Sequence, residues 1–129
     1  MKALTLVVFI LVALLCDQAN ATSFIYDCSF NMYSNQKSHG TEESPPFKLI
    51  YSYDDSTGKA IAKGNATTIS VLVHKGADAI TFIEPLDSGA IQSTTITTDN
   101  KAVHSRHSII VTMFNPHQMY GSCDVGQVK

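Results

Sequence analysis

Apolar and polar residues alternate along most of the chain after residue 21, which is the spacing expected of β-strands. The alternation is clearest at 24–30 and 47–53, where every second residue is aromatic, aliphatic or cysteine. No stretch shows the i, i+3, i+4, i+7 spacing of an amphipathic helix over three turns. Because β-branched residues enrich the later segments as well, the pattern predicts an all-β domain.

The predicted strands are joined by short segments rich in Gly, Asp and Asn, such as 54–58, 75–78, 85–89 and 99–101. Short connections force neighbouring strands to pair in antiparallel fashion. The sequence therefore predicts a single-domain antiparallel meander of about eight strands. The strands are expected near 23–31, 46–53, 59–64, 68–74, 79–84, 89–98, 102–112 and 119–123.

An even number of antiparallel strands can close on itself without leaving a free edge. The expected fold is therefore a closed barrel or a flattened β-sandwich. Only one connection is predicted to be long, the polar segment Asn31 to Pro46, which contains Ser, Asn, Gln, His and Gly. A polar loop of that length is either functional or simply mobile.

The first 21 residues differ from the rest, because 16 of them are hydrophobic. Lys2 precedes an apolar run of 13 residues from Ala3 to Leu15, and Ala19-Asn20-Ala21 fits a signal-peptidase site. This run is shorter than the roughly 20 residues that cross a bilayer. We expect a signal peptide at 1–21 with a helical core, a mature domain at 22–129 without a membrane span, and a periplasmic or secreted location.

Cys16 leaves a lipoprotein as the alternative, since a lipid-modified cysteine also ends an apolar leader. The residues before it are Leu14-Leu15, whereas a lipobox needs a small residue directly before the cysteine. Cleavage after Ala21 would remove Cys16 and leave Cys28 and Cys123 as the only thiols. In an oxidising compartment such a pair most simply forms a disulfide. The alternative is two buried free thiols.

The charge is close to balanced, with 9 Lys and Arg against 11 Asp and Glu. A nucleic-acid-binding protein normally carries a clustered basic surface, so that class is not expected. The chain has no CxxC, HExxH or calcium-loop motif and no cofactor motif. We therefore expect no bound metal or cofactor, although the dispersed histidines at 39, 74, 104, 107 and 117 leave gathered metal ligands open.

The run at 102–111 is the most conspicuous candidate for chemistry because it contains His104, Ser105, Arg106 and His107. On a strand, residues three apart point to opposite faces, so His104 and His107 are not expected to share a metal. The face with Ser105 and His107 also includes apolar neighbours and is predicted to point inward. His107 would then be a buried imidazole, either a polar anchor in a pocket at the barrel mouth or a core histidine with satisfied hydrogen bonds.

Glu84 is the candidate partner for this run, since it ends a strand in which Ile80 and Phe82 share its face. If Phe82 points inward, Glu84 does too, and its carboxylate could pair with Arg106 or His107. A Ser105–His107–Glu84 triad is not expected, because no nucleophile elbow or Gly-rich oxyanion loop accompanies it. A structural salt bridge is the preferred interpretation.

Several segments of the C-terminal half are distinctive: 81–84, 88–96, Val-His-Ser-Arg-His at 103–107, and Gln-Met-Tyr-Gly-Ser-Cys at 118–123. Together they resemble a group of small exported proteobacterial proteins of unknown function. Those proteins end in a similar Val-His-Ser-Arg-His run and a Gln-Tyr-Tyr-Gly-x-Cys-like tail, with an aromatic residue where this chain has Met119. The resemblance implies export, a β-rich fold and a bonded terminal cysteine, and it implies no catalytic role.

Two functional hypotheses follow. The first is an exported, non-catalytic β-barrel that binds a small molecule or an extracytoplasmic protein, as small carriers and inhibitors do. The second is a metal protein or enzyme that uses His104, Arg106, His107 and Glu84. The first is preferred, because small closed barrels are filled by side chains and hold at most a modest ligand.

Overall fold

The protein is described by a computed structural model that covers residues 22–128. The predicted signal peptide at 1–21 lies outside the described residues. Eight antiparallel strands form a closed barrel. The all-β prediction is therefore confirmed, and of the two predicted forms, barrel and flattened sandwich, the barrel is the one observed. The strands are β1 (Ser23–Asn35), β2 (Thr41–Asp54), β3 (Lys59–Lys63), β4 (Thr68–Lys75), β5 (Ala79–Pro85), β6 (Ile91–Thr97), β7 (Lys101–Ile110) and β8 (Met113–Val128).

Each strand pairs with the next along the chain, and β8 pairs with β1 to close the barrel. The connections after β1, β3, β5 and β7 lie at one end, which we call the mouth, and both ends of the described chain lie at the other. No helix within 22–128 is long and apolar enough to cross a membrane.

The interior is filled by one side chain of every two along each strand, as the alternation predicted. Phe30, Phe82 and Ile96 are almost fully buried. The rings of Tyr51 and Phe82 stack with centroids 4.3 Å apart and planes 4° from parallel. These contacts fill the middle of the barrel, and the two cavities described below lie toward its ends.

A disulfide joins β1 to β8 inside the barrel. Cys28 and Cys123 face each other in the strand register, and their sulfurs are bonded across a sequence separation of 95 residues. The predicted disulfide is confirmed, and the alternative of two free thiols is wrong. Because β1 and β8 are the first and last strands, a covalent bond reinforces the hydrogen-bonded seam that closes the barrel.

The strands β1 and β8 come unusually close beside the disulfide. A Cβ atom on Gly121 would lie 1.9 Å from the carbonyl oxygen of Ser29 and 2.8 Å from Cα of Phe30. The register of β1 shifts between Phe30 and Met32, which marks a bulge opposite Gly121. Only glycine fits here, because both contacted atoms belong to the backbone.

The predicted long polar loop at 31–46 is wrong. Strand β1 continues to Asn35 and β2 already begins at Thr41, so the turn spans only 36–40. Residues 113–118, which were predicted to lie between strands, belong to β8. These segments lack alternation because they extend beyond the packed interior, where many side chains on both faces meet solvent and only backbone pairing defines the strand.

The longer strands therefore rise above one side of the mouth. Strands β3 to β6 have 5 to 8 residues, whereas β1, β2, β7 and β8 have 10 to 16. We call the protruding part the rim wall and define it as 32–35, 41–46, 107–110 and 113–117. At its tip Val111 and Thr112 turn with φ angles of 47° and 65°.

Candidate functional site

Strand β7 presents His104, not His107, to the barrel interior. His104 is 2% exposed and His107 is exposed, so the predicted orientation of this strand is wrong. The register gives the reason, since His104 lies between the buried partners Thr94 and Met119. The apolar residues around Ile109 favoured the other face in the prediction. They belong to the exposed rim wall, so they do not indicate which face of β7 packs in the core.

A chain of hydrogen bonds runs through the interior to His104. The hydroxyls of Tyr51 and Thr94 are 2.5 Å apart, and the Thr94 hydroxyl lies 2.7 Å from Nδ1 of His104. Tyr51 has no other side-chain hydrogen-bond partner in the described part of the chain, so we assign it as the donor to Thr94. Thr94 then donates to Nδ1, and this assignment makes His104 a neutral imidazole with its proton on Nε2.

Burial fixes the charge states of Tyr51 and His104, the two ends of this hydrogen-bond chain. It raises the pKa of Tyr51 to about 12 and lowers the pKa of His104 to about 4. The nearby charges of Arg106 and His117 lower the His104 pKa further. At neutral pH the interior therefore holds a protonated phenol and an uncharged imidazole.

The next layer toward the mouth is a row of polar residues on four successive strands. Glu84 pairs in register with Gln92, Gln92 with Arg106, and Arg106 with His117. Because register partners share a face, this polar row crosses half of the barrel circumference. The sequence suggested Glu84 and Arg106 but missed Gln92 and His117, which could have been found by counting the strand register across the short turns.

Glu84 does not form the predicted ion pair with Arg106 or His107. Its carboxylate accepts a hydrogen bond from the side-chain amide of Gln92, which stands between it and Arg106. The ion pairs found among residues 22–128 are Lys75–Asp55 and Lys101–Asp99, both exposed and away from the mouth. Arg106 therefore has no acidic partner within the described chain.

Three buried side-chain nitrogens in residues 22–128 have no hydrogen-bond partner: Nε2 of His104, Nε of Arg106 and Nε2 of His117. All three belong to the polar row or the layer just below it, on the two adjacent strands β7 and β8. Buried polar atoms in folded proteins are nearly always paired, so unpaired ones gathered in one place indicate a site that is completed by something else.

His104 and Arg106 open onto a cavity of about 210 Å³ at the mouth. The part of the lining contributed by β2 to β4 is apolar, with Phe47, Leu49 and Ile69 among its residues. The polar wall of the cavity comes from β5 to β7. The complete lining is Phe47, Leu49, Ala62, Gly64, Thr67, Ile69, Glu84, Gln92, His104 and Arg106.

A second depression of about 240 Å³ lies at the opposite end of the barrel, beside Tyr26, Lys75 and Ile96. It holds none of the unpartnered buried nitrogens of the described chain. Its one cationic side chain, Lys75, is already paired with Asp55 at 2.7 Å. The mouth cavity is therefore the better candidate site.

Of the residues in the enzyme hypothesis, His104, Arg106 and Glu84 line the same cavity, whereas His107 lies on the outer face of β7. The alternation of β7 places Ser105 on the face opposite His104, while Glu84 lines the interior. The hydroxyl of Ser105 accepts a hydrogen bond from Gln118 at 3.4 Å. Within 22–128 no group of three or more His, Cys, Asp and Glu side chains is placed to hold a metal ion.

Comparison with known proteins adds no relative: no family model, no curated protein and no solved structure matches this chain. The fold and the composition of the mouth cavity define the molecule at present as a small closed β-barrel with an amphipathic mouth.

Proposed function

We propose that this protein is an exported, non-catalytic binding protein that holds a small molecule in the mouth cavity. The observation that carries the proposal is the division of that cavity into an apolar wall and a polar wall with two unpartnered buried nitrogens. Ligand sites typically combine an apolar lining with a few convergent polar groups in this way. The volume is smaller than that of sites for drug-sized molecules, so the ligand is small.

The lining supports binding without covalent chemistry. It contains no Ser or Cys side chain, and its one hydroxyl belongs to Thr67. The buried hydroxyl of Thr94 is already committed between Tyr51 and His104. An activated nucleophile needs a hydroxyl or thiol hydrogen-bonded to a base, and within the described residues Thr67 makes no such bond to Glu84 or His104.

Export is supported by two features that are independent of the cavity. The Cys28–Cys123 disulfide is compatible with an extracytoplasmic location, because such bonds persist in oxidising compartments. The leader at 1–21 has the three parts of a signal peptide. A carrier or sensor of a small molecule outside the cytoplasm accounts for both.

Binding can be tested by NMR titration of the mature chain with three probes of nearly equal shape: benzyl alcohol, benzoate and benzylamine. A cavity of about 150 Å³ already accepts benzene, so a single ring fits here. We expect at least one probe to shift the backbone amides of Leu49, Ala62 and Ile69 saturably. If no probe binds, or if the shifted amides lie elsewhere, the proposed function is wrong.

A cavity-filling variant makes the test specific. Gly64 lines the cavity, and a Cβ there would meet only the Leu49 side chain at 3.7 Å, an ordinary contact. Gly64→Leu should therefore fold and abolish probe binding. Gly126→Leu is the matched control, because Gly126 lies at the far end of β8 with open space around it, and it should bind the probes as the parent does.

A further inference from the structure

We propose that the ligand of the mouth cavity is a small organic carboxylate, with its carboxylate on His104 Nε2–H and the Arg106 guanidinium and its apolar body against Phe47, Leu49 and Ile69. This inference rests on the proposed function and adds the chemical class of the ligand. It depends on the hydrogen-bonding role of His104, the charge balance at the mouth and the shape of the cavity.

His104 lines the cavity and carries a hydrogen-bond donor without a partner among the described residues. Its Nδ1 is assigned as the acceptor from Thr94, since this leaves the buried Tyr51 hydroxyl a partner for its proton. The remaining Nε2–H is buried without a partner in a side chain that is 2% exposed. A buried donor that is left unpaired destabilises the free protein, so a ligand oxygen that accepts from it is favoured.

Arg106 supplies a second donor group and the positive charge. It lies two residues from His104 on the same face of β7, and its Nε is also buried without a partner. Within 22–128 it makes no ion pair, because Gln92 stands between it and Glu84. Carboxylates match a guanidinium in geometry as well as charge, since two oxygens can accept from two N–H groups.

The charge at the mouth favours an anion with a single charge. Arg106 contributes one positive charge, the buried His104 is neutral at pH 7, and Glu84 contributes a negative charge on the other side of Gln92. A dianion such as a phosphate monoester would meet one cation and one carboxylate. A cationic ligand would leave the donors of His104 and Arg106 unpaired, and the Glu84 carboxylate that could attract it already accepts from Gln92.

The shape of the cavity requires an apolar body next to this group. Phe47, Leu49 and Ile69 form the apolar part of the lining of this space of about 210 Å³, and the Phe47 ring also packs against the ring of His104 with centroids 5.7 Å apart. An inorganic anion would leave that wall in contact with water, whereas a short aliphatic or single-ring acid would cover it. Burial of apolar surface adds to the affinity roughly in proportion to the area covered.

The three probes of the NMR titration separate this inference from the proposed function. At pH 7 we expect benzoate to bind at least about tenfold more tightly than benzyl alcohol, since a charged hydrogen bond is the difference between them. Benzylamine should bind most weakly. Equal affinity for benzoate and benzyl alcohol, or tighter binding of benzylamine, would overturn the carboxylate assignment while leaving a small-molecule site; no binding at all would overturn the function itself.

Variants assign the interaction to the named groups. Arg106→Gln should lower benzoate affinity about tenfold more than it lowers benzyl alcohol affinity. Lys48→Gln is the control, because Lys48 is an exposed cation on β2, next in sequence to the cavity residues Phe47 and Leu49, and does not itself line the cavity. If Lys48→Gln weakens benzoate binding as much as Arg106→Gln, the contribution is a general surface charge and the assignment is wrong.

The protonation of His104 gives a readout that does not depend on affinity. Nitrogen-15 NMR of the free protein should show the neutral tautomer with its proton on Nε2, and benzoate should move the Nε2–H resonance in the direction of a stronger hydrogen bond. A proton on Nδ1 would make Nε2 an acceptor, and the carboxylate assignment would then be wrong.

Discussion

The hydroxyl of Thr94 lies 2.7 Å from Nδ1 of His104, and this contact between β6 and β7 connects the core to the mouth cavity. On its other side Thr94 bonds to Tyr51. One threonine hydroxyl thus satisfies two buried polar side chains and sets the tautomer of the histidine at the candidate site.

Thr94→Val should destabilise the protein by about 1–3 kcal/mol, because a side chain of similar shape would leave the Tyr51 hydroxyl and His104 Nδ1 buried without partners. Urea unfolding monitored by circular dichroism measures the change. Thr68→Val is the matched control, since Thr68 is exposed at the start of β4, and it should change stability by less than about 0.5 kcal/mol. Equal effects in the two variants would contradict a structural role for the Thr94 hydroxyl.

The stability of the barrel should fall as pH drops from about 6.5 to about 4. Burial holds the pKa of His104 at about 4, below the ordinary value of 6.5, so in this window the unfolded chain binds a proton that the folded chain does not. The contribution of neutral His104 to the free energy of unfolding is fully present above pH 6.5. As the pH falls below that value, it is lost at up to about 1.4 kcal/mol per pH unit.

His104→Gln isolates this contribution. Its free energy of unfolding should depend less steeply on pH between 4 and 6.5 than that of the parent, whatever its absolute stability. Asp99, whose hydrogen bond with Lys101 lowers its pKa to about 2, contributes equally to parent and variant, so its effect cancels in the comparison. Parallel pH profiles for parent and variant would show that His104 does not control acid stability.

Gly121→Ala should cost several kcal/mol or prevent folding, since its Cβ would overlap the backbone of Ser29 and Phe30 and force β1 away from β8. Thermal unfolding of purified protein measures the loss. Gly126→Ala lies on the same strand with no atom within 4 Å of the added Cβ, so it should be nearly neutral. A tolerated Gly121→Ala would mean that the seam can widen without cost.

The disulfide should contribute substantially to stability, up to about 4–5 kcal/mol in the chain-entropy treatment of a loop this long. The double variant Cys28→Ser/Cys123→Ser should therefore unfold at lower urea concentration. Mass spectrometry of the exported protein provides the chemical check: the chain should start at Thr22 and contain no free thiol. Two titratable thiols would contradict the bond, and an intact leader would contradict cleavage after Ala21.

The tip of the rim wall can be stabilised. Val111 and Thr112 both adopt positive φ angles, which cost non-glycine residues roughly 1–2 kcal/mol each. Asn-Gly is the preferred pair for such a hairpin turn, so Val111→Asn/Thr112→Gly should raise the melting temperature. Asn100→Gly is the comparison, because Asn100 already tolerates its φ of 65° and should gain less.

The sequence was sufficient to predict the eight strands, their antiparallel order, the closed form as one of two alternatives and the disulfide. Each of these depends on local chemistry: alternation where one face is buried, turn residues between strands, and an even pair of cysteines. Prediction failed at the rim wall, because segments such as 113–115 are exposed at every residue and carry no alternation.

The candidate site was predicted only in part for a related reason. Periodicity divides β7 into two faces, but which face points inward depends on its neighbours, here Thr94 and Met119 beside His104. The apolar residues of the exposed tip misled the assignment to His107. The amphipathic cavity itself, with Arg106 on one wall and Phe47 on the other, was decided by tertiary structure alone, because closure brings together strands that are distant in sequence and only the closed register fixes which side chains face each other.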